Sequence, residues 1–537
     1  MFKNYTTKQL VLSMDLEIYL AENDFAYLIQ AFVESIPNEH FHSYYQAQGR
    51  PQYHPRMLLS LLLCAYIQGI FSGRAIENML RDSIRMRWLA QGEQPNFRTI
   101  NRFRVHPSMD ELLRISFIQF QDALLRSGLI QGEALFIDGT KIEADAKKFS
   151  FVCRKSIENY EAKLDENAQL AYKELVKEKI LPQLFEEMKD ELTLEELEII
   201  RERLLAEKTH LEEEILETKE VEKRKSLRVM KSTLHKNWKK FRDFRVRKEE
   251  YQKKKEILQT RNSYSKTDPD ATFMRMKDDY MQNGQLKAGY NVQLATENQF
   301  ALAYDLFPNP TDTRTLLPFL SSMKEDFELP QYLVADAGYG SEENYRHIED
   351  GFSEQSALIP YGTMLKEESK KWKSDDRKVM NWTYFAQDDY YIDTKGVRFN
   401  FVAYRTKADK NGFERSFKEY QAETLDENNQ KIEAAFTQKG YRRKIQINPS
   451  WEYFKAKARG LLSQEKTKAI YGKRKIDVEP VFGNIKKNMN FTRFHVRGVQ
   501  KTKREMGLVF LAHNFRKLMA RMKKYKGKTV QQLLVEV

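Results

Sequence analysis

The sequence predicts an α/β fold, a mixed sheet flanked by helices, with a helical N-terminal region and two insertions of different character. Three observations lead there. Leu333-Val334-Ala335-Asp336-Ala337-Gly338-Tyr339-Gly340 is an apolar run that ends on a carboxylate and a glycine-rich turn. That is the pattern of a buried strand presenting Asp336 at the rim of a sheet. Leu135-Phe136-Ile137-Asp138-Gly139-Thr140 is built to the same plan, and segments of helical period lie around both runs. One of these, Val478-Glu479-Pro480-Val481-Phe482-Gly483-Asn484-Ile485-Lys486, carries a third acid.

Length and composition set the scale. A chain of 537 residues exceeds one simple core, so two to four domains are expected. Apolar residues make up 41%, with 33 Phe and 27 Tyr, enough for packed cores. Lys and Arg total 90 against 77 Asp and Glu, and the net charge of +13 favours a polyanionic partner without specifying one. Only Cys64 and Cys153 occur, which excludes a disulfide framework and a cysteine-based zinc site. Met1 to Leu20 lacks a cationic start followed by an apolar block, and the apolar stretch Met57 to Phe71 is too short to span a bilayer. A cytoplasmic protein is expected, with no membrane partner.

Residues 1–128 read as a helical N-terminal domain. Pro55 suits the first turn of a helix through Leu58, Leu59, Leu62, Leu63 and Tyr66, and a second helix runs from Ala75 to Trp88. The basic stretch Pro95 to Arg104, with Arg98, Arg102 and Arg104, suits a helix N-terminus facing phosphate, the alternative being a solvated helix start beside a core. Ser108 to Leu129 is amphipathic. Residues 129–150 open the sheet: Ala134 to Asp138 reads as a short strand, Asp138-Gly139 as a turn, and Thr140 to Ala144 as the next strand.

Residues 151–262 read as a charged, coiled-coil-like insertion, a hairpin of long helices. Thr193 and Glu196 form a capping-box signature, followed by Leu197, Leu204 and Leu211 at seven-residue spacing. Its first half is acidic. Its second half, Lys223 to Lys255, is basic with Trp238, Phe241, Phe244 and Tyr251 interleaved. Two helices of opposite sign can pair with each other, or the basic one can track a DNA backbone.

Residues 263–376 resume the core, with strands at Lys287 to Ala295 and Gln299 to Phe307, a helix at Thr313 to Phe327, the Asp336 strand, and Ser341 as the next helix cap. Residues 377–450 hold short strand-like pieces and polar turns, a β-rich insertion. Residues 451–537 are helical and include Glu479. Val478, Val481, Phe482, Ile485 and Met489 share its apolar side, and Pro480 suits a helix beginning close to Glu479.

Singly, each acid has a plain structural reading: a turn, a strand terminator, a solvated helix position. Together they suggest chemistry. Three carboxylates brought together repel unless cations neutralise them, and oxygen donors without cysteine favour Mg²⁺ or Mn²⁺. Two such ions about 4 Å apart activate an attacking oxygen and stabilise the leaving one in phosphoryl transfer. Lys486 and Lys487 on the same helix then suit the phosphates of the strand being cut.

The residues carry a family resemblance. Phe136-Ile137-Asp138-Gly139-Thr140, Ala335-Asp336-Ala337-Gly338-Tyr339, Tyr404-Arg405-Thr406-Lys407, Val478 to Lys486 and Phe491 to Gly498, after a helical region from His54-Pro55-Arg56 to Arg104, resemble a bacterial insertion-sequence transposase of the DDE type. The resemblance covers nearly the whole length and implies an RNase H-like core similar to that of retroviral integrase. It implies Asp138, Asp336 and Glu479 as catalytic, metal-binding residues, and Mg²⁺ as cofactor, two ions with Mn²⁺ able to substitute. It also implies cleavage at element ends that frees 3′-hydroxyls, strand transfer into target DNA, and a homodimer holding two terminal inverted repeats near the bacterial nucleoid. The family signature of Tyr, two residues, Arg, three residues, Glu, six residues, Lys is met by Glu479 and Lys486. Tyr471 and Arg474 lie one residue too far upstream, and Lys475 stands at the arginine's place. Relatives often carry a cysteine cluster between the second Asp and the Glu; this chain has none there.

Rival readings are a domesticated DNA-binding protein that no longer cuts, an RNase H-like nuclease without strand transfer, and a coiled-coil interaction protein. The last leaves the strand acids unexplained.

Overall fold

The computed structural model describes residues 20–21, 23–45, 52–185, 191–276, 284–426 and 428–522. The ends of the expected N-terminal and C-terminal regions, residues 1–19 and 523–537, lie outside the described residues. The chain forms two compact units, one of Met1–Ile142 with Asn291–Val537, the other Glu143–Tyr290.

The first unit opens with α1 (Phe25–Ser35), α2 (Pro55–Ile67), α3 (Gly73–Asp82), α4 (Ile84–Leu89), α5 (Phe97–Arg104) and α6 (Met109–Arg126). Pro55 stands at the start of α2, where a missing N–H is harmless, and the His54 ring accepts from the Arg56 amide. Leu58 to Ile67 are all buried, so α2 is a core helix and shows no one-sided apolar stripe. β1 (Ala134–Glu143) follows as one unbroken strand. The turn expected at Asp138-Gly139 does not form. Gly139 does not take the positive φ such a turn needs, and pairing with the neighbouring strand outweighs the local turn preference.

The second unit contains β2 (Phe151–Cys153), α7 (Arg154–Lys177), α8 (Leu194–Glu217), α9 (Val221–Leu258), β3 (Ser263–Ser265) and β4 (Thr272–Arg275). It has three long helices where a two-helix hairpin was expected. Thr193 and Glu196 make both arms of the capping box on α8. Leu197, Ile200 and Leu204 of α8 meet Leu234 and Phe241 of α9 and Ala168, Tyr172 and Leu175 of α7 in one core. The opposite charges pair across the helices: Arg245 with Glu198 at 2.9 Å and Lys231 with Glu212 at 2.9 Å. Trp238 and Phe244 pack on this core and Tyr251 on a smaller cluster, so the interleaved aromatics serve packing. Lys248, 2% exposed, is neutralised by Asp165 and Glu191, each at 2.8 Å.

β5 (Leu286–Glu297) carries the chain back into the first unit, followed by β6 (Phe300–Phe307), α10 (Leu316–Asp326), β7 (Tyr332–Val334), α11 (Glu342–Gly351), β8 (Ser356–Leu358), and the short turns α12 (Met364–Glu367) and α13 (Lys370–Lys373). The strand order in the first unit is β6-β5-β1-β7-β8, antiparallel between β5 and β6 and parallel across β1, β7 and β8, and the start of β5, Leu286–Gly289, pairs antiparallel with β4. The architecture is mixed α/β. β9 (Thr383–Phe385), β10 (Tyr390–Ile392), β11 (Arg398–Ala408), β12 (Glu414–Ala422) and β13 (Lys444–Ile447) form a separate antiparallel sheet over Trp382, Val397, Phe399 and Tyr420. Ordinary packing thus holds together a segment that has no cysteine to bind zinc.

The chain ends in α14 (Pro449–Ser463), α15 (Glu465–Gly472), α16 (Arg474–Gly483) and α17 (Val499–Met522). α17 is the spine of this unit, with Leu508 to Ala512 and Phe515 fully buried. The Asn514 amide pairs with both the N–H and the carbonyl of Ala301 on β6, each at 2.8 Å. α16 begins at Arg474, so Pro480 is interior to the helix and Glu479 is not at its N-terminal end, contrary to expectation. Proline cannot donate to the Ile476 carbonyl one turn back, and Gln299 Nε2 does so instead, at 2.8 Å.

Candidate active site

The site is built on the parallel β1–β7 pair. Phe136 pairs with Val334, the last coupled position; two residues on, β1 carries Asp138, and the chain leaving the end of β7 carries Asp336. Asp138 is 6% exposed and accepts the Gly139 amide at 2.8 Å. Asp336 is half-buried, and its carboxylate takes the Gly338 amide at 2.8 Å, which closes the turn after β7. Asp138 therefore lies inside β1 and not at a strand end. It lies past the stretch of β1 that pairs with β7.

Glu479 comes from α16 and is about half exposed. Arg474 joins it to Asp138: the guanidinium is 3.5 Å from Glu479 Oε1 and 4.0 Å from Asp138 Oδ2, and the arginine side chain is only 11% exposed. Tyr471 is on the last turn of α15; burial is the main cause that pushes its hydroxyl pKa upward, with the charge of Arg474 opposing and that of Asp336 adding. The helix break at Lys473 separates Tyr471 from Arg474 and absorbs the spacing departure. Lys475, at the signature position, is exposed. The structure thus brings Tyr471, Arg474, Asp138 and Glu479 together and leaves Lys475 aside.

Beneath the acids lies a polar floor that the sequence reading missed. Asn291 and Gln293 alternate along β5 and are fully buried. Asp312 accepts from Asn291 Nδ2 at 2.7 Å and Gln293 Nε2 at 3.0 Å, and the buried Tyr339 hydroxyl donates to Gln293 Oε1 at 2.5 Å. Tyr339 is driven far above its ordinary pKa by burial and then by the charges of Asp312, Asp138 and Asp336. Two amides spaced two apart in an otherwise apolar strand were the available signal. Gly139 is needed here: a Cβ would stand 2.4 Å from Gln293 Nε2 and 2.5 Å from Asp312 Oδ1. Asp477 of α16 was also missed. It is buried, bonded to Thr296 Oγ1 at 2.7 Å, and raised in pKa mainly by desolvation.

The remaining predicted contacts separate. Lys486, half-buried, and Lys487, exposed, sit on a π-helical turn, Asn484–Asn488, after α16. Arg98 and Arg102 are exposed on α5. Arg104 is not a surface cation, and this corrects its assignment to phosphate. It is 3% exposed, paired with the buried Glu505 at 3.2 Å, and donates to the Tyr66 hydroxyl, the Phe71 carbonyl and Asn101 Oδ1.

The donor chemistry, carboxylate oxygens with no sulfur ligand, fits a hard divalent cation. The spacing is wider than a shared ion requires, because a guanidinium stands between two of the carboxylates. Among the described residues no three His, Cys, Asp or Glu side chains are grouped closely enough to hold one ion.

Residues 14–106 match the family model described as Transposase domain (DUF772), and residues 261–515 match Transposase DDE domain. No curated protein and no solved structure matches the chain. A mixed α/β chain with both of these domains is a transposase. More narrowly, it belongs to the insertion-sequence transposases of the DDE type. That family acts on DNA and generally uses divalent metal ions. Among the described residues, no helix is long and apolar enough to cross a membrane.

Proposed function

We propose that this transposase cleaves DNA at the ends of its insertion element and joins the freed 3′-hydroxyls to target DNA, using an RNase H-like core in which Asp138, Asp336 and Glu479 bind metal. The observation that carries this reading is the Arg474 bridge between Asp138 and Glu479, which links residues from distant parts of the chain beside the Asp336 turn. Two Mg²⁺ ions, replaceable by Mn²⁺, would be held by the three acids; when bound they supply charge neutralisation and Lewis-acid activation. Asp138, set in a strand and held by the Gly139 amide, provides a fixed ligand, and the more exposed Glu479 an adjustable one.

Arg474, Tyr471, Lys486 and Lys487 are assigned to phosphates near the scissile bond. Arg98 and Arg102 on α5 are assigned to the terminal repeats. The outward face of α9 is assigned to the DNA backbone: Arg228, Lys236, Lys239, Lys240 and Arg247 are exposed and form no ion pair among the described residues. Because two ends must be held together, a homodimer is proposed for the synaptic complex, acting on nucleoid DNA in the cytoplasm. The test is metal-dependent nicking and joining of an end-containing oligonucleotide by wild type and Asp336→Asn. Equal activity in both removes the assignment, and nicking without joined products replaces it with a nuclease lacking strand transfer.

A further inference from the structure

Arg474 poses a physical question that the assignment of the acids does not answer. A guanidinium that is 11% exposed requires nearby negative charge, because desolvating an uncompensated cation is costly. Its charged neighbours are Asp138 and Glu479, the two acids also assigned to metal. A dication held by the same carboxylates would stand a few ångströms from the arginine and repel it. The two positive groups therefore compete for the same oxygens. Arg474 is the first residue of α16, on a long side chain, so it can be re-aimed by rotamer changes alone. The Tyr471 hydroxyl, on the last turn of α15, is a neutral neighbour of the guanidinium and adds no charge.

We infer that Arg474 is a resident counter-ion: it neutralises Asp138 and Glu479 until a divalent cation enters, and is then displaced, which frees its guanidinium for a DNA phosphate. This rests on the proposal that these acids bind metal. It makes cation entry and phosphate capture one coupled event, with Arg474 as the positioning residue.

The test is Mn²⁺ binding to the full-length protein without DNA, followed by water-proton relaxation. Arg474→Gln is expected to bind Mn²⁺ roughly tenfold more tightly than wild type, the scale of removing one positive charge beside a dication in a partly hydrated site. Arg474→Lys, which keeps the charge, is expected to stay close to wild type. Tyr471→Phe keeps every charge but removes the polar hydroxyl beside the guanidinium, and is expected to tighten binding about threefold. It serves as the second measure should Arg474→Gln fail to fold. Unchanged or weaker binding in the charge-removing variant, or in Tyr471→Phe where that is the variant that folds, overturns the counter-ion role. Asp138→Asn with Glu479→Gln separates the two ideas. If that pair binds Mn²⁺ as wild type does, the metal assignment itself falls, whereas loss of binding there with no tightening in the Arg474 and Tyr471 variants removes only the counter-ion.

Discussion

Asp138 and Asp336 each lie two residues beyond a paired position of neighbouring parallel strands, Asp138 within β1 after Phe136 and Asp336 just past the end of β7 at Val334. Side chains two residues apart on a strand face the same way, so Asp138 follows the side of Phe136, while Asp336 is fixed by the turn that its carboxylate closes with the Gly338 amide. If they share the work of metal binding, removing either charge has a large effect on chemistry and a small one on folding. Asp138→Asn and Asp336→Asn are each expected to lower metal-dependent nicking at least about a hundredfold, with DNA retention on a filter or gel unchanged.

Gly139 is a steric requirement of the polar floor. Gly139→Ala drives a methyl group into Gln293 Nε2 and Asp312 Oδ1, which are pinned by Asn291 and Tyr339. A loss of about 1–3 kcal/mol is expected in urea unfolding, as for an overpacked core. Gly460→Ala, on α14 with nothing within 4 Å of the added carbon, is the control and is expected to be neutral or stabilising.

Arg104 and Glu505 form a pair with side chains 4% and 0% exposed. Arg104→Ala leaves the buried Glu505 with only His495, its amide at 2.8 Å and its ring at 3.3 Å, and a destabilisation of about 3 kcal/mol is expected. Arg104→Met with Glu505→Leu is expected to recover only part of it, because the His495 amide then loses its acceptor. A phosphate-binding role predicts the reverse, weaker DNA binding at unchanged stability.

His513 links stability to pH. It is fully buried on α17, its Nε2 facing the Gln299 carbonyl at 2.9 Å and its Nδ1 facing Asn484 Nδ2 at 2.8 Å, an arrangement that suits the neutral ring. Burial pushes its pKa down to about 4 from 6.5. As pH falls below 6.5 the unfolded chain takes up a proton that the folded one refuses, so stability falls until about pH 4 and then levels off. The loss from this residue is expected to approach about 3 kcal/mol across that window. Thermal midpoints between neutral and acidic pH check it, and His513→Gln is expected to flatten the slope.

DNA affinity is expected to fall steeply with salt, because phosphate contacts release counter-ions. Reversing charge at Lys236, Lys240 and Arg247 of α9 is expected to reduce the slope of log affinity against log salt by about two to three. An unchanged slope removes this face from the DNA-binding surface, leaving it a solvated side of a packed helix.

Much of this molecule is readable along the chain. The runs ending in Asp138 and Asp336 form strands, and Thr193 caps its helix with Glu196, because these features depend on neighbours a few residues away. The misreadings share a cause. Asp138-Gly139 resembles a turn until a strand pairs with it, Pro480 resembles a helix start until Gln299 takes over the carbonyl it abandons, and Arg104 resembles a surface cation until Glu505 arrives from far down the chain.

The order of residues was enough to name the chemistry available: carboxylates on strands and a helix, hard-metal donors without sulfur, an excess of cations and the motifs of a transposase family. Folding in three dimensions chose which charges meet. It placed Arg474, and not Lys475, between Asp138 and Glu479, because electrostatic energy follows distance through space and burial, neither of which is written in spacing along the chain.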